Sequence, residues 1–435
     1  MGAMTAIKNQ ASRALSDIFP GYFPAAKHDI YKDFGYPEQV TFDLSYAMYC
    51  RNGLAKAAVE ETILKSWETN PEIWETTKAK ESKLESDIRQ RFSDVRIWQA
   101  LAEADRRSMV GGYSGAVLRL ADSKRFVEPV DTVPGGLMGL VEVIPAWSGQ
   151  LTVSEWDTDE RSPNYGQPKM FSFNEALIGK AQTVGQQRQF LVHPDRVIVW
   201  SADGTIHSRS ALEPGFNSLL AMEKIEGAGG EGFWKNAKAS PVLSIENATD
   251  LNSMAQAMGV HATDVADEMH GAVERYNKGF DAMLLLQGIK ATTLGITLPS
   301  PEHFFAIALQ SFCASLGIPQ KIMVGNQNGE RASTEDKAAW NAKGNARRNN
   351  VLRPLLMEFI NRLERFGIIP ERDWHLNWAD LTESSMGEKI ERAVKMAEIS
   401  AKTAGYNEPT YTTDELRAVT GHDAIDMTVF EGGEE

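Results

Sequence analysis

A chain of 435 residues with 42% hydrophobic side chains has room for two or three globular cores. Its 59 acidic against 45 basic residues give a net charge of −14 and a pI near 5.2. This balance argues against a protein that grips nucleic acid, because such affinity rests largely on Lys and Arg neutralising phosphates; it leaves room for one that DNA slides past. No apolar run is long enough to span a membrane, Met1-Gly2-Ala3-Met4 leads into a polar stretch rather than a secretory core, and two cysteines, Cys50 and Cys313, exclude a disulfide framework. Both cysteines sit in apolar helical patterns, which predicts small buried residues with inert thiols.

In chain order, Leu44 to Ser66 reads as one helix, with Met48, Ala55, Ala58, Val59 and Ile63 on a broad face. After the Asn70-Pro71 break, a charged helix is predicted from Leu84 to Met109, ending at Gly111-Gly112. Ser114 onward is a strand, and short apolar runs then alternate with Pro, Gly and Asp turns: Leu137 to Ile144, Gln150 to Trp156, Met170 to Phe173 and Arg196 to Trp200. A turn at Glu213-Pro214-Gly215 leads into a partly apolar helix carrying Leu219, Met222 and Ile225. From Ser240 to Pro299 comes a compact insert with strands over 241–245 and 282–287 and a helix from Asp264 to Tyr276. The fold class is therefore α+β.

The stretch from Phe304 to Leu355 is the most informative. Phe304, Ile307, Ala308, Phe312 and Leu316 recur at helical intervals, and Gly317 and Pro319 end the run. Gly325 to Arg331 contains no large apolar side chain, which predicts a polar loop. Ser333 or Thr334 can cap a new helix whose first turn carries Glu335 and Asp336, and Trp340, Arg347, Arg348 and Asn349 then precede Arg353-Pro354-Leu355. Further on, a short strand over 374–378 and a helix through Met396 are predicted, and Thr413-Asp414-Glu415-Leu416-Arg417 lies near the end.

This order of parts, a helix, a Gly-x-Pro stop, a Gly/Asn loop and a long helix closing on Arg-Pro-Leu, resembles the portal proteins of tailed bacteriophages, within the branch often grouped with an anti-defence phosphodiesterase. The resemblance covers roughly residues 40 to 420 and implies a non-enzymatic protein with no cofactor or resident metal. It implies a wing over 1–212, a first stem helix over 213–239, a clip over 240–300, a second stem helix over 301–317, a tunnel loop, long helix and C-terminal wing over 318–395, and a short crown and tail over 396–435. It further implies a homo-oligomeric ring of twelve at one capsid vertex of the virion, made in the bacterial cytoplasm. The partners implied are the terminase large subunit, a head-to-tail adaptor, the major capsid and scaffolding proteins, and double-stranded DNA passing without sequence specificity; no membrane is involved. On this resemblance Asn326, Gln327, Asn328, Gly329, Glu330 and Arg331 form the tunnel loop. Lys321, Lys337, Arg347 and Arg348 are candidate phosphate contacts, with salt bridges between subunits at least as good a reading for the last two. Asp264, Asp267, Glu268, Glu274 and Arg275 are the clip's partner-binding candidates.

Two alternatives stay open beside this reading, a cyclic-nucleotide phosphodiesterase of the anti-defence type and another ring-forming neck or baseplate adaptor, but most other chemistry fails on the residues. Gly227 to Gly232 fits G-x-G-x-x-G but follows a helical pattern with no βαβ unit around it, so it reads as a loosened or kinked stem helix. No Walker A sequence exists, and the ATP chemistry of packaging belongs to a partner. His261-Ala262-Thr263 matches the His-x-Thr element that a two-histidine phosphodiesterase uses twice; only one copy is present, so the second proton-transfer group is missing. His261, Asp264, Asp267 and His270 have the spacing of one helix face but read as a solvated acidic surface rather than a metal site.

Overall fold

The computed structural model describes residues 29–75, 81–175, 189–237, 241–245, 255–256, 259–261, 263–265, 267, 289–293, 300–325, 330–382, 386–403 and 410–422. Internal contacts divide the chain into two units, Met1–Thr41 with Leu212–Gln320, and Phe42–Ala211 with Lys321–Glu435.

The larger unit opens with α1 (Phe42–Arg51) and α2 (Gly53–Ser66). These replace the single helix predicted over 44–66, because the Asn52 side-chain oxygen accepts from the N–H groups of Leu54 and Ala55 at 3.0 and 3.1 Å and starts a new helix. Cys50, predicted as a core residue, is exposed on α1. A strand absent from the sequence reading, β1 (Glu72–Trp74), precedes α3 (Lys83–Asp94) and α4 (Ile97–Gly111). The one helix predicted over 84–109 is broken at Arg96, whose φ of 53° is left-handed. Ser82 and Glu85 form a capping box at the start of α3.

β2 (Tyr113–Leu120) is the centre of an antiparallel sheet, between β3 (Leu140–Trp147) and β7 (Val197–Ser201). A second antiparallel sheet has the order β4 (Leu151–Trp156), β5 (Pro168–Asn174), β6 (Gln189–Val192). The two-residue period of β2 serves two cores at once. Ala116, Leu118 and Leu120 join a cluster with Ile88, Phe92 and Leu101 of the helices, while Val117 joins Leu151, Phe171, Phe173 and Val192 of the other sheet. Gly115 permits that approach: a Cβ there would lie 2.1 Å from Leu151 Cδ2.

In the smaller unit, α5 (Phe216–Ala237) follows the turn at residues 213–215 and runs as one helix through Gly227, Gly229, Gly230 and Gly232. β8 (Pro241–Ile245) pairs antiparallel with β9 (Ile289–Thr293), in the register Leu243 to Ala291. The strand predicted over 282–287 lies outside the described residues, and the partner strand found is β9. Helix α6 (Glu302–Leu316) packs beside α5, with the hydroxyls of Ser218 and Ser311 3.2 Å apart. It ends as predicted at Gly317, φ 60°, where the Gly317 and Ile318 N–H groups return to the carbonyls of Ala314 and Cys313 at 3.1 and 3.0 Å.

After the short α7 (Gln320–Val324), α8 (Glu330–Arg347) starts earlier than predicted, so Ser333 and Thr334 lie inside its first turn rather than at its cap. α8 passes through one π turn, Arg348–Leu352, into α9 (Arg353–Arg365). Pro354 explains the π turn: it has no N–H for the carbonyl four residues earlier, and the chain widens so that the Arg353 N–H reaches the Arg348 carbonyl instead. Leu355, Leu356, Phe359, Ile360 and Leu363 of α9 complete the core built on β2. β10 (His375–Asn377) pairs antiparallel with β1, and α10 (Met386–Thr403) and α11 (Thr413–Val419) close the described chain.

Candidate functional site

The junction of α8 with α9 is where the informative stretch is fixed to the larger unit. Among the described side chains of α8, Glu335, Lys337, Ala338 and Ala339 are exposed, Asp336 is half-buried, and the first fully buried one is Trp340. The helix therefore begins polar and gains its anchorage only in its second half. Lys343 lies with its Nζ 6.0 Å from the Trp340 ring, and burial pulls its pKa below the ordinary lysine value. Gly344 lets the helix sit close: a Cβ there would lie 2.8 Å from Leu381 Cδ1 and 3.2 Å from Lys65 Cγ. Asn345 donates to Asp380 and accepts from the Leu381 N–H at 3.2 Å.

The last turn holds the charged anchor. Arg347 donates from Nη1 to Asp105 Oδ2 at 2.8 Å and from Nη2 to Asp105 Oδ1 at 2.6 Å, the fork-to-fork geometry of the strongest ion pairs. Asp105 is fully buried on α4 and also accepts from the indole N–H groups of Trp67 at 2.8 Å and Trp200 at 3.1 Å. A buried carboxylate with four donors meets the demand that buried charge be paired and hydrogen-bonded. Arg348 is buried in turn; it donates to the Ser66 carbonyl at 2.8 Å, the Ala379 carbonyl at 2.9 Å and Thr69 Oγ1 at 3.2 Å. Burial pulls its pKa down from the ordinary guanidinium value.

These positions correct the set of phosphate candidates. Arg347 and Arg348 are spent inside the larger unit, on a carboxylate and on main-chain carbonyls, so their donors are not presented to an outside anion. Lys321 is half-buried and Lys337 exposed. Of the predicted tunnel loop, Asn326, Gln327, Asn328 and Gly329 lie outside the described residues, and Glu330 and Arg331 open α8. In the insert, Asp264 and Asp267 are exposed, while Glu268, Glu274 and Arg275 lie outside the described residues, as does His270. His261 is exposed. No group of three His, Cys, Asp or Glu side chains among the described residues is placed to hold a metal ion.

Asp105 went unremarked in the sequence, although it carried a signal. It shares a helical face with Leu101 and Ser108 in an otherwise apolar stripe, and a carboxylate on a core face requires a partner.

A second polar cluster braces α9. Arg362 donates to the carbonyls of Pro194 and Val197 at 2.7 and 2.6 Å, and Arg365 donates to Asp195. Burial pushes the Asp195 carboxyl up, but hydrogen bonds from Arg365 and the Val130 N–H, with the charges of Arg365 and His193, outweigh it and hold the pKa below the ordinary aspartate value.

The described residues thus set a polar helix start on an interior charged anchor. A family model described as phage portal protein matches residues 45–402. The chain belongs to the phage portal protein family. It is thus a structural component of a virion, at the portal vertex where head and tail are connected. No curated protein matches the chain. Among solved structures, similar chains occur in the neck of a native gene transfer agent particle computed with C12 symmetry (13% identity, 88% of this chain and 94% of that chain, TM-score 0.47). Others come from the neck of an empty particle computed with C6 symmetry (14%, 92% and 97%, 0.46) and from the native gene transfer agent virion (13%, 95% and 99%, 0.49).

Proposed function

We propose that this portal protein assembles into a closed ring of twelve copies whose axial channel passes double-stranded DNA inward during packaging and outward during ejection. The observation that carries the reading is the family match across residues 45–402. In a closed cyclic ring each chain meets its neighbours through two different, complementary patches, and no free edge remains. Residues 1–212 are the N-terminal wing, α5 and α6 the two stem helices, residues 240–300 the clip, residues 318–395 the tunnel loop, long helix and C-terminal wing, and residues 396–435 a short crown and tail.

The clip is the docking face, first for the terminase large subunit and then for head-to-tail adaptors, with Asp264 and Asp267 exposed on it. The wing faces the major capsid and scaffolding proteins. Residues 326–331 approach the DNA. The net charge of −14 per chain supports a channel that repels phosphate and does not hold its cargo. Lys337, exposed on the first half of α8, and Arg331, near its start, supply weak contacts without sequence preference.

Native mass spectrometry with class-averaged end-on views tests the assembly. Rings of twelve around an open axial hole are the expected result. A monomer or dimer at high concentration overturns the ring and the channel built on it.

A further inference from the structure

We propose that the larger unit carries a docking groove for an extended, basic peptide segment of a partner protein, between the free edge of β1 and helix α3. Three observations meet there.

The first is the strand edge. β1 pairs with β10 alone, and among the described residues no strand lies along its other side. Such an edge presents main-chain N–H and C=O groups that an added strand can satisfy. The second is the shape of the space. A cavity of about 350 Å³ is lined by five consecutive residues, 70–74, so that both faces of β1 contribute, as happens when a cavity runs along a strand's edge rather than over one face. Its opposite wall is one face of α3, including Ile88 and Phe92, with Trp98 beyond. The volume lies within the range of roughly 300–1,000 Å³ that holds small ligands, which suits side chains of a peptide and not a folded domain.

The third is charge. The cavity lining includes three glutamates and one arginine. Glu81 is paired with Arg89 at 2.7 Å, and Glu85 accepts from the N–H groups of Ser82 and Glu75 at 2.6 and 2.7 Å. Glu72 differs: its hydrogen bond is a long one, 3.3 Å from the Trp74 indole N–H, and the residue is exposed. A carboxylate with spare acceptor capacity beside an indole is a combination that favours a Lys ammonium or an Arg guanidinium. The occupant is therefore an extended segment whose main chain pairs with β1. One basic side chain lies on Glu72 and Trp74, and the side chains of the added strand that alternate with it face the half-buried Ile73 and the exposed rim of α3 at Arg89 and Ser93.

The test is selection of displayed random octapeptides on the full-length chain, followed by affinity measurement with a synthetic peptide of the selected consensus. The expected consensus fixes Lys or Arg at one position and apolar or β-branched residues at alternate positions. Glu72→Lys should weaken that peptide about ten-fold, with the unfolding midpoint unchanged, whereas Glu160→Lys, the same charge change in an exposed turn, should leave affinity as it was. N-methylation of alternate peptide amides should abolish binding in one register and not the other. The proposal is overturned if no peptide is enriched, if the consensus lacks a fixed basic position, or if Glu72→Lys binds equally well. The measurement does not depend on ring formation, which end-on views record separately.

Discussion

Arg347 and Asp105 lie 242 residues apart in the chain and meet through two hydrogen bonds, of 2.8 and 2.6 Å, where the fully buried Asp105 carboxylate also accepts from Trp67 and Trp200. This contact fixes the end of α8 to α4, so the polar first half of α8 is carried on a rigid base. A buried ion pair is weak evidence for net stability, but removing one partner strands the other charge away from water, at a cost of about 3–5 kcal/mol. Arg347→Ala should therefore lower the thermal unfolding midpoint sharply. The double variant Arg347→Met with Asp105→Leu should recover only part of the loss, because neither charge is left buried but the indole N–H groups of Trp67 and Trp200 lose their acceptor. An Arg347→Ala protein that melts like the parent would show that Asp105 is satisfied by the two indoles alone.

The anchor also shows what the sequence could and could not yield. Local signals were legible: the Gly317-x-Pro319 stop became a left-handed helix end, and the strands on either side of β2 fell close to their predicted positions. Breaks made by a single side chain or dihedral were missed. Asn52 caps a helix inside an unbroken apolar pattern, and Arg96 takes a left-handed φ with no glycine to announce it. β1 was missed because three residues carry no period, and its strand character comes from pairing with β10, some 300 residues away. The charged site was half legible. Arg347 and Arg348 stood out, but their direction is set by Asp105, Ser66 and Ala379, contacts that no local spacing encodes.

Asp195 gives the acid limb of stability a definite sign. Its folded pKa is depressed by Arg365, the Val130 N–H and His193 against the upward push of burial. Its contribution is therefore fully present above the unfolded value, about 3.9, and is lost as pH falls through the lower folded value. Asp195→Asn should be less stable than the parent from neutral pH down to about pH 4, with the gap narrowing below that. Unfolding midpoints in urea across pH 2 to 7 measure it; a gap that widens toward low pH would contradict the assignment.

The two thiols should separate cleanly. Cys50 is exposed on α1, whereas Cys313 is buried on α6 and burial pushes its pKa up from the ordinary thiol value. A maleimide at neutral pH should label the native chain at Cys50 alone, and a second equivalent should react only in denaturant. Cys50→Ser should then leave a native chain that resists labelling. Mass spectrometry of the peptides reads both outcomes, and equal labelling of the native thiols would place Cys313 at the surface.

The polar start of α8 is the place to separate channel function from architecture. Arg331 stands one residue inside the helix and nine residues before Trp340, the first fully buried side chain described on it, so replacing it removes a positive charge without touching the anchor at Asp105. Arg331→Ala should leave the unfolding free energy within about 0.5 kcal/mol of the parent and should leave rings intact in end-on views. On the proposed ring and channel, DNA retention in filled heads should fall, because one weak phosphate contact would be lost from each copy and the effect would repeat at every subunit. Lys337→Ala should act in the same direction. Arg347→Ala should instead weaken folding and retention together. Rings lost in Arg331→Ala would make that residue structural and move the DNA contact elsewhere, while full retention with intact rings would remove residues 330–331 from the channel wall.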